Sequence, residues 1–156
     1  MYDYYVEEDE NPLFYFITKN NNTYAVEFFK HNIDNDYIYE VYELSFNVVE
    51  EYSKRNDLYV SSTIIKIVVD FFYNNPNAVI FYICDSNDNR QVFRNRLFNR
   101  WFLKSNKDEI YSKLNLNYTG ADFNYKLELL FFSEKYNFDK IIESVSKELE
   151  ILSGYK

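Results

Sequence analysis

At 156 residues with a net charge of −8, the chain is a single acidic domain, long enough to bury roughly 70% of the surface its unfolded form would expose. One cysteine (Cys84) and one histidine (His31) exclude an internal disulfide and a closed Cys/His zinc site. With only two glycines, Gly120 and Gly154, neither a phosphate-cradling P-loop nor a G-x-G-x-x-G dinucleotide turn can be written.

The first dozen residues, MYDYYVEEDENP, are acidic where a secretory leader would be basic and then apolar, and no run of 18 apolar residues follows. The protein is therefore expected in the cytoplasm and off the membrane. Residues 1–12 are expected to form an acidic, solvated and poorly ordered lead, and residues 13–156 one α+β domain. Leu13 to Lys19 and Tyr24 to Lys30 are aromatic and β-branched runs separated by Asn20-Asn21-Asn22, the pattern of a hairpin, and Tyr37 to about Phe46 adds a third strand. Partial alternation of polar and apolar residues predicts a sheet with one face packed and one nearer water.

Thr63 to Tyr73 reads as a buried helix capped by Ser61 or Ser62 and stopped by Asn74-Asn75-Pro76. Val79 to Cys84, VIFYIC, is a continuous apolar run bounded by turn residues, as in a central strand covered on both faces. A helix from Arg90 to about Lys104 follows, then strands near Ile110 to Tyr118 and Tyr125 to Phe132. Phe138, Ile141, Ile142, Val145, Leu149 and Leu152 share one face of a closing helix. The expected order is β-β-β-α-β-α-β-β-α, an α+β fold with helices on a mostly antiparallel sheet.

The 17 tyrosines, 15 phenylalanines and 20 asparagines, against three alanines, have the character of AT-rich coding, which weakens the tyrosines as evidence for base stacking. The same bias makes arginine scarce. Of five arginines, Arg90, Arg94, Arg96 and Arg100 fall within eleven residues, and Asp85 to Lys107 carries six basic and two acidic residues. At 100° per residue, Arg96 and Arg100 project outward, whereas Arg90 and Arg94 lie near an apolar arc made by Phe93, Leu97, Phe98, Trp101 and Phe102. An inward guanidinium needs an acceptor. Arg90 and Arg94 either pair with Asp85, Asp88 or a carboxylate of the last helix, or form an anion pocket with the helix N-terminus. Asp85, Ser86 and Asp88 are the candidate helix caps.

The stretch VIFYICDSNDNRQVFRNRLFNRWF resembles the central motif of a family of small uncharacterised bacterial proteins, in which a strand is followed by C-D-S, D-x-R-Q, R-x-R-L-F and R-W-F. Those positions are Cys84, Asp85, Ser86, Asp88, Arg90, Gln91, Arg94, Arg96, Leu97, Phe98, Arg100, Trp101 and Phe102. The resemblance marks a region and implies no activity.

Other constellations are weaker. Asp85-x-Asn87-x-Asn89 opens like a calcium loop, but Arg90 stands where glycine is needed and Arg96 where the bidentate glutamate belongs. No lysine follows an acidic residue at the two-residue spacing of a common metal-dependent nuclease. Cys84 reads as a buried, inert thiol, and His31 as an exposed loop residue with no orienting partner. No metal or cofactor and no complete catalytic set is called for. By subtraction, the leading expectation is a cytoplasmic protein-interaction module of the kind found in bacterial toxin–antitoxin or defence loci. The first alternative is an RNA-binding or metal-independent RNA-cleaving protein that holds phosphates with Arg90, Arg94, Arg96 and Arg100. A further alternative is an anion or nucleotide-ligand sensor at Arg90 and Arg94.

Overall fold

A computed structural model describes residues 1–31, 40–84, 96, 99, 100, 102–104, 111–119 and 124–132. The pairs of apolar residues at alternate positions in the first strands fix which face is covered. Phe14 and Phe16 of β2 (Leu13–Ile17), Val26 and Phe28 of β3 (Thr23–His31), and Tyr42 and Leu44 of β4 (Glu40–Glu50) all point to one side of the sheet and are buried there. Cross-strand register aligns them, with Phe14 opposite Val26, Phe28 opposite Leu44, and Lys30 opposite Tyr42.

The β2–β3 turn uses asparagine where a glycine-poor chain has little else. Asn21 takes φ 61°, and the Thr18 and Asn22 backbones close the loop by hydrogen bonds of 2.9 Å from Thr18 N to Asn22 O and from Asn21 N to Thr18 O. Replacing Asn21 with glycine should leave stability nearly unchanged, whereas valine at this left-handed position should cost about 1–2 kcal/mol in urea denaturation. Equal melts for the two variants would contradict that account.

After β4 the chain crosses over through α1 (Leu58–Asn74) and returns as β5 (Ala78–Cys84), parallel to β4 with Tyr42 opposite Ile80. Such a parallel return needs a crossover element. α1 is rich in β-branched residues of modest helix propensity, so burial of Ile64, Ile67, Phe71 and Phe72 on the sheet stabilises it more than intrinsic preference does. It begins earlier than Ser61 or Ser62. Asp57 is the N-cap, accepting from Tyr59 N at 3.0 Å, while the Ser61 and Ser62 hydroxyls donate to the Leu58 and Tyr59 carbonyls inside the first turns. At the other end the Asn75 N–H and side-chain amide both donate to Phe71 O, and Pro76 follows.

β5 is the covered central strand expected from its apolar run: Ala78, Val79, Ile80, Phe81 and Tyr82 are all buried. It lies between β4 and β7 (Asn124–Phe132), and β6 (Tyr111–Thr119) closes that edge. The seven strands run in the order β1-β2-β3-β4-β5-β7-β6, antiparallel except for β4 and β5. This is a single α+β domain on a mostly antiparallel sheet, with Phe102 of the later helical segment also packed on the core.

β1 (Tyr5–Glu7) is a strand where the sequence predicts none. It pairs antiparallel with β2, Tyr5 opposite Tyr15, inside the stretch read as a poorly ordered acidic lead. That part of the lead is therefore tied to the sheet, while Glu8, Asp9 and Glu10 are exposed. The closing helix expected at 138–152 lies outside the described residues.

Candidate functional site: a basic groove beside α1

Three parts of the chain meet along the side of α1. The loop from Glu51 to Asp57 enters the helix, α1 contributes Leu58, Ser62, Ile65 and Val69, and the helical residues Arg96, Arg100 and Lys104 line the same space. Together they enclose a groove of about 1250 Å³ with a floor that includes Tyr24, Phe46, Val60 and Ile64. This exceeds the roughly 300–1,000 Å³ of a small-molecule pocket.

The described lining of this groove carries more cations than carboxylates. Among the described residues lining it are the cations Lys54, Arg55, Lys66, Arg96, Arg100 and Lys104, of which Lys66 is paired with Asp70, and the two carboxylates Glu51 and Asp57, in a chain of net charge −8. Asp57 is already engaged by the Tyr2 hydroxyl and the Tyr59 N–H. All three arginines among the described residues line this groove.

The loop is held from below by one side chain. Asn22, 5% exposed, accepts from Tyr52 N at 2.8 Å and Ser53 N at 3.0 Å through Oδ1, and donates from Nδ2 to Ser53 O at 2.7 Å. The β2–β3 turn thereby fixes the backbone that presents Lys54 and Arg55.

An N-terminal strap braces α1. Tyr2 N donates to Thr63 Oγ1 at 2.8 Å, the Tyr2 hydroxyl donates to Asp57, and the Tyr4 hydroxyl donates to Asp70, which Lys66 also contacts. Burial pushes the Asp57 carboxyl up, but the bonds from Tyr2 and Tyr59 N and the charge of Lys19 outweigh it and hold the group below the ordinary aspartate range. Asp70 is likewise raised by burial and lowered further by Lys66 and Tyr4. Because both folded-state values are depressed, the stabilisation is complete above the ordinary aspartate value near 4 and is lost as pH falls through the lowered values. The protection of the amides in residues 1–7, corrected for intrinsic exchange, should therefore fall below about pH 4, and Asp57→Asn should blunt that fall. Protection independent of pH down to 2 would count against the strap.

Of the residues singled out from sequence, Arg96 and Arg100 are exposed, as their helical positions predicted, and share the groove. Arg90, Arg94, Asp85, Ser86 and Asp88 lie outside the described residues. Lys54, Arg55, Lys66 and Lys104 were missed as site residues, although Arg55, the remaining member of a set of five arginines, carried the same scarcity signal.

His31 is not the exposed loop residue expected. It ends β3 with its side chain only 13% exposed, Nε2 is 3.1 Å from Glu43 Oε2, and its ring lies 5.1 Å from that of Phe81. Beside it Lys30 Nζ meets Glu40 Oε1 at 3.0 Å, and the Tyr42 hydroxyl donates to Glu40 Oε2 at 3.1 Å. The Lys30 bond, followed by that from Tyr42, outweighs burial and holds the Glu40 carboxyl low, while burial and then Glu40 push Tyr42 up to about 12. A phenol held so far above neutrality keeps its proton and donates to Glu40, so these contacts tie β3 to β4.

The chain is an α+β domain whose groove beside α1 is lined by both cationic and apolar side chains. The chain belongs to the family of unknown function DUF6169, whose model matches residues 56–147, more than half of its length. That span takes in α1, β5, both C-terminal strands and Arg96, Arg100 and Lys104. No curated protein matches the chain. Among the described residues, no helix is long and apolar enough to cross a membrane.

Proposed function

We propose that this chain is a macromolecule-binding module that holds a protein partner in the basic groove beside α1. One observation carries the reading: every described arginine, together with Lys54, Lys66 and Lys104, lines a single groove of an otherwise acidic protein. A cluster of one sign against a background of the other selects an oppositely charged partner and steers its approach. The apolar floor then supplies the desolvated contact that charge alone does not.

The same cations could meet RNA phosphates, the alternative drawn from the sequence. Leu58, Ile65 and Val69 of α1 favour a polypeptide, and the two aromatic rings of the described lining, Tyr24 and Phe46, fall short of the row of platforms that sequence-tolerant RNA binding uses.

The test is capture from native cells at physiological salt, with zero-length coupling of lysine amines to partner carboxylates. A stoichiometric protein coupled to Lys54, Lys66 or Lys104, and lost with R96E/R100E, is the expected result. Nuclease-sensitive capture with a steep salt dependence would replace the protein reading with the RNA one.

A further inference from the structure

The two walls of the groove carry helical stripes of different character. On α1, Leu58, Ser62, Ile65 and Val69 are spaced i, i+4, i+7 and i+11, the spacing of one heptad seam, and all four line the groove. Leu58 is 80% exposed and Val69 37% exposed, and Ser62 lets a neighbouring backbone approach closely. Arg96, Arg100 and Lys104, each helical and each lining the groove, stand four residues apart, the spacing of one row on a helical surface.

We infer that the groove takes an amphipathic acidic α-helix from the partner protein, its leucine or isoleucine seam on the α1 stripe and a row of Glu or Asp against Arg96, Arg100 and Lys104. This rests on the reading of the groove as a protein-binding site and names the chemistry of what enters it. An added β-strand is disfavoured, because a helix wall has its backbone hydrogen bonds satisfied internally and offers no ladder. The seam from Leu58 to Val69 rises about 16 Å and the cationic row about 12 Å, so three to four turns of helix, roughly 11–14 residues, would engage both. Carboxylates at i, i+4 spacing on the incoming helix would match the cationic row at each turn.

Two synthetic peptides of three heptads, both with Leu at a and d, test this: one has Glu at b and e, so that each e and the following b stand four residues apart, and the other has Lys there. Fluorescence anisotropy against the full chain at 0.15 M salt should show binding of the Glu peptide alone, weakening as salt rises. R96E/R100E and, separately, Ile65→Asp should each weaken the Glu peptide about tenfold or more, and R96E/R100E should gain affinity for the Lys peptide. Circular dichroism confirms that each variant is folded. Equal binding of the Glu peptide to wild type and R96E/R100E overturns the inference, as does no binding of it to wild type. Peptide failure beside a partner still coupled to Lys54 or Lys104 removes the helix and leaves the groove; loss of both removes the groove as well.

Discussion

Replacing Phe71 with alanine is expected to cost about 3–5 kcal/mol, a large part of the roughly 5–15 kcal/mol that holds a domain of this size folded. Phe71 is 2% exposed, its ring is stacked on that of Phe28 at 3.7 Å and 2°, and it meets the edge of Tyr42 at 4.9 Å and 81°. It thus links α1 to β3 and β4 at once, and truncation leaves a cavity that two strands and a helix would have to collapse together to fill. Phe71→Leu retains most of the volume and should cost less, about 1–2 kcal/mol. A double-mutant cycle with Phe28→Ala should give a coupling of about 0.5–1.5 kcal/mol beyond lost area. Urea midpoints with unchanged slope measure all of this. A loss below about 1 kcal/mol for Phe71→Ala would mean that the helix is held elsewhere.

The covered face was legible because strand period is rigid. Phe14 with Phe16 and Val26 with Phe28 can share a side only if every second residue does, and the bounded apolar run before Cys84 has no other economical home than a central strand. Features set by distant partners were not legible. Asp57, Ser61 and Ser62 are all competent caps, and the choice falls on Asp57, whose carboxylate also receives the Tyr2 hydroxyl from 55 residues away. β1 is short and exposed, with nothing local to distinguish it from coil until Leu13, Phe14 and Tyr15 supply its ladder. The groove divides in the same way. Arg96 and Arg100 were visible as scarce residues clustered on one helix, but Lys54, Arg55 and Lys66 precede them by 30 to 46 residues and join them through the β4-α1-β5 crossover.

Asn22 is the sharpest case, because a chain with 20 asparagines gives no reason to single out one. Its side chain makes three hydrogen bonds to the backbone of Tyr52 and Ser53 from a nearly fully buried position. Asn22→Ala would leave two N–H groups and one carbonyl seeking water beside the groove floor, and is expected to cost about 2–4 kcal/mol. Asn22→Asp keeps both acceptor contacts but sets a carboxylate oxygen against the Ser53 carbonyl, so its loss should be intermediate at neutral pH and shrink when the carboxyl is protonated. Amide exchange at Tyr52 and Ser53 separates this from a general loss of stability: both amides should lose protection in the alanine variant and retain more of it in the aspartate variant. Unchanged protection at both would mean that the loop stands without Asn22. Since the same loop presents Lys54 and Arg55, the alanine variant should also weaken ligands of the groove while leaving the Arg96 and Arg100 wall in place, which makes the turn asparagine a positioning residue for a site it does not itself charge.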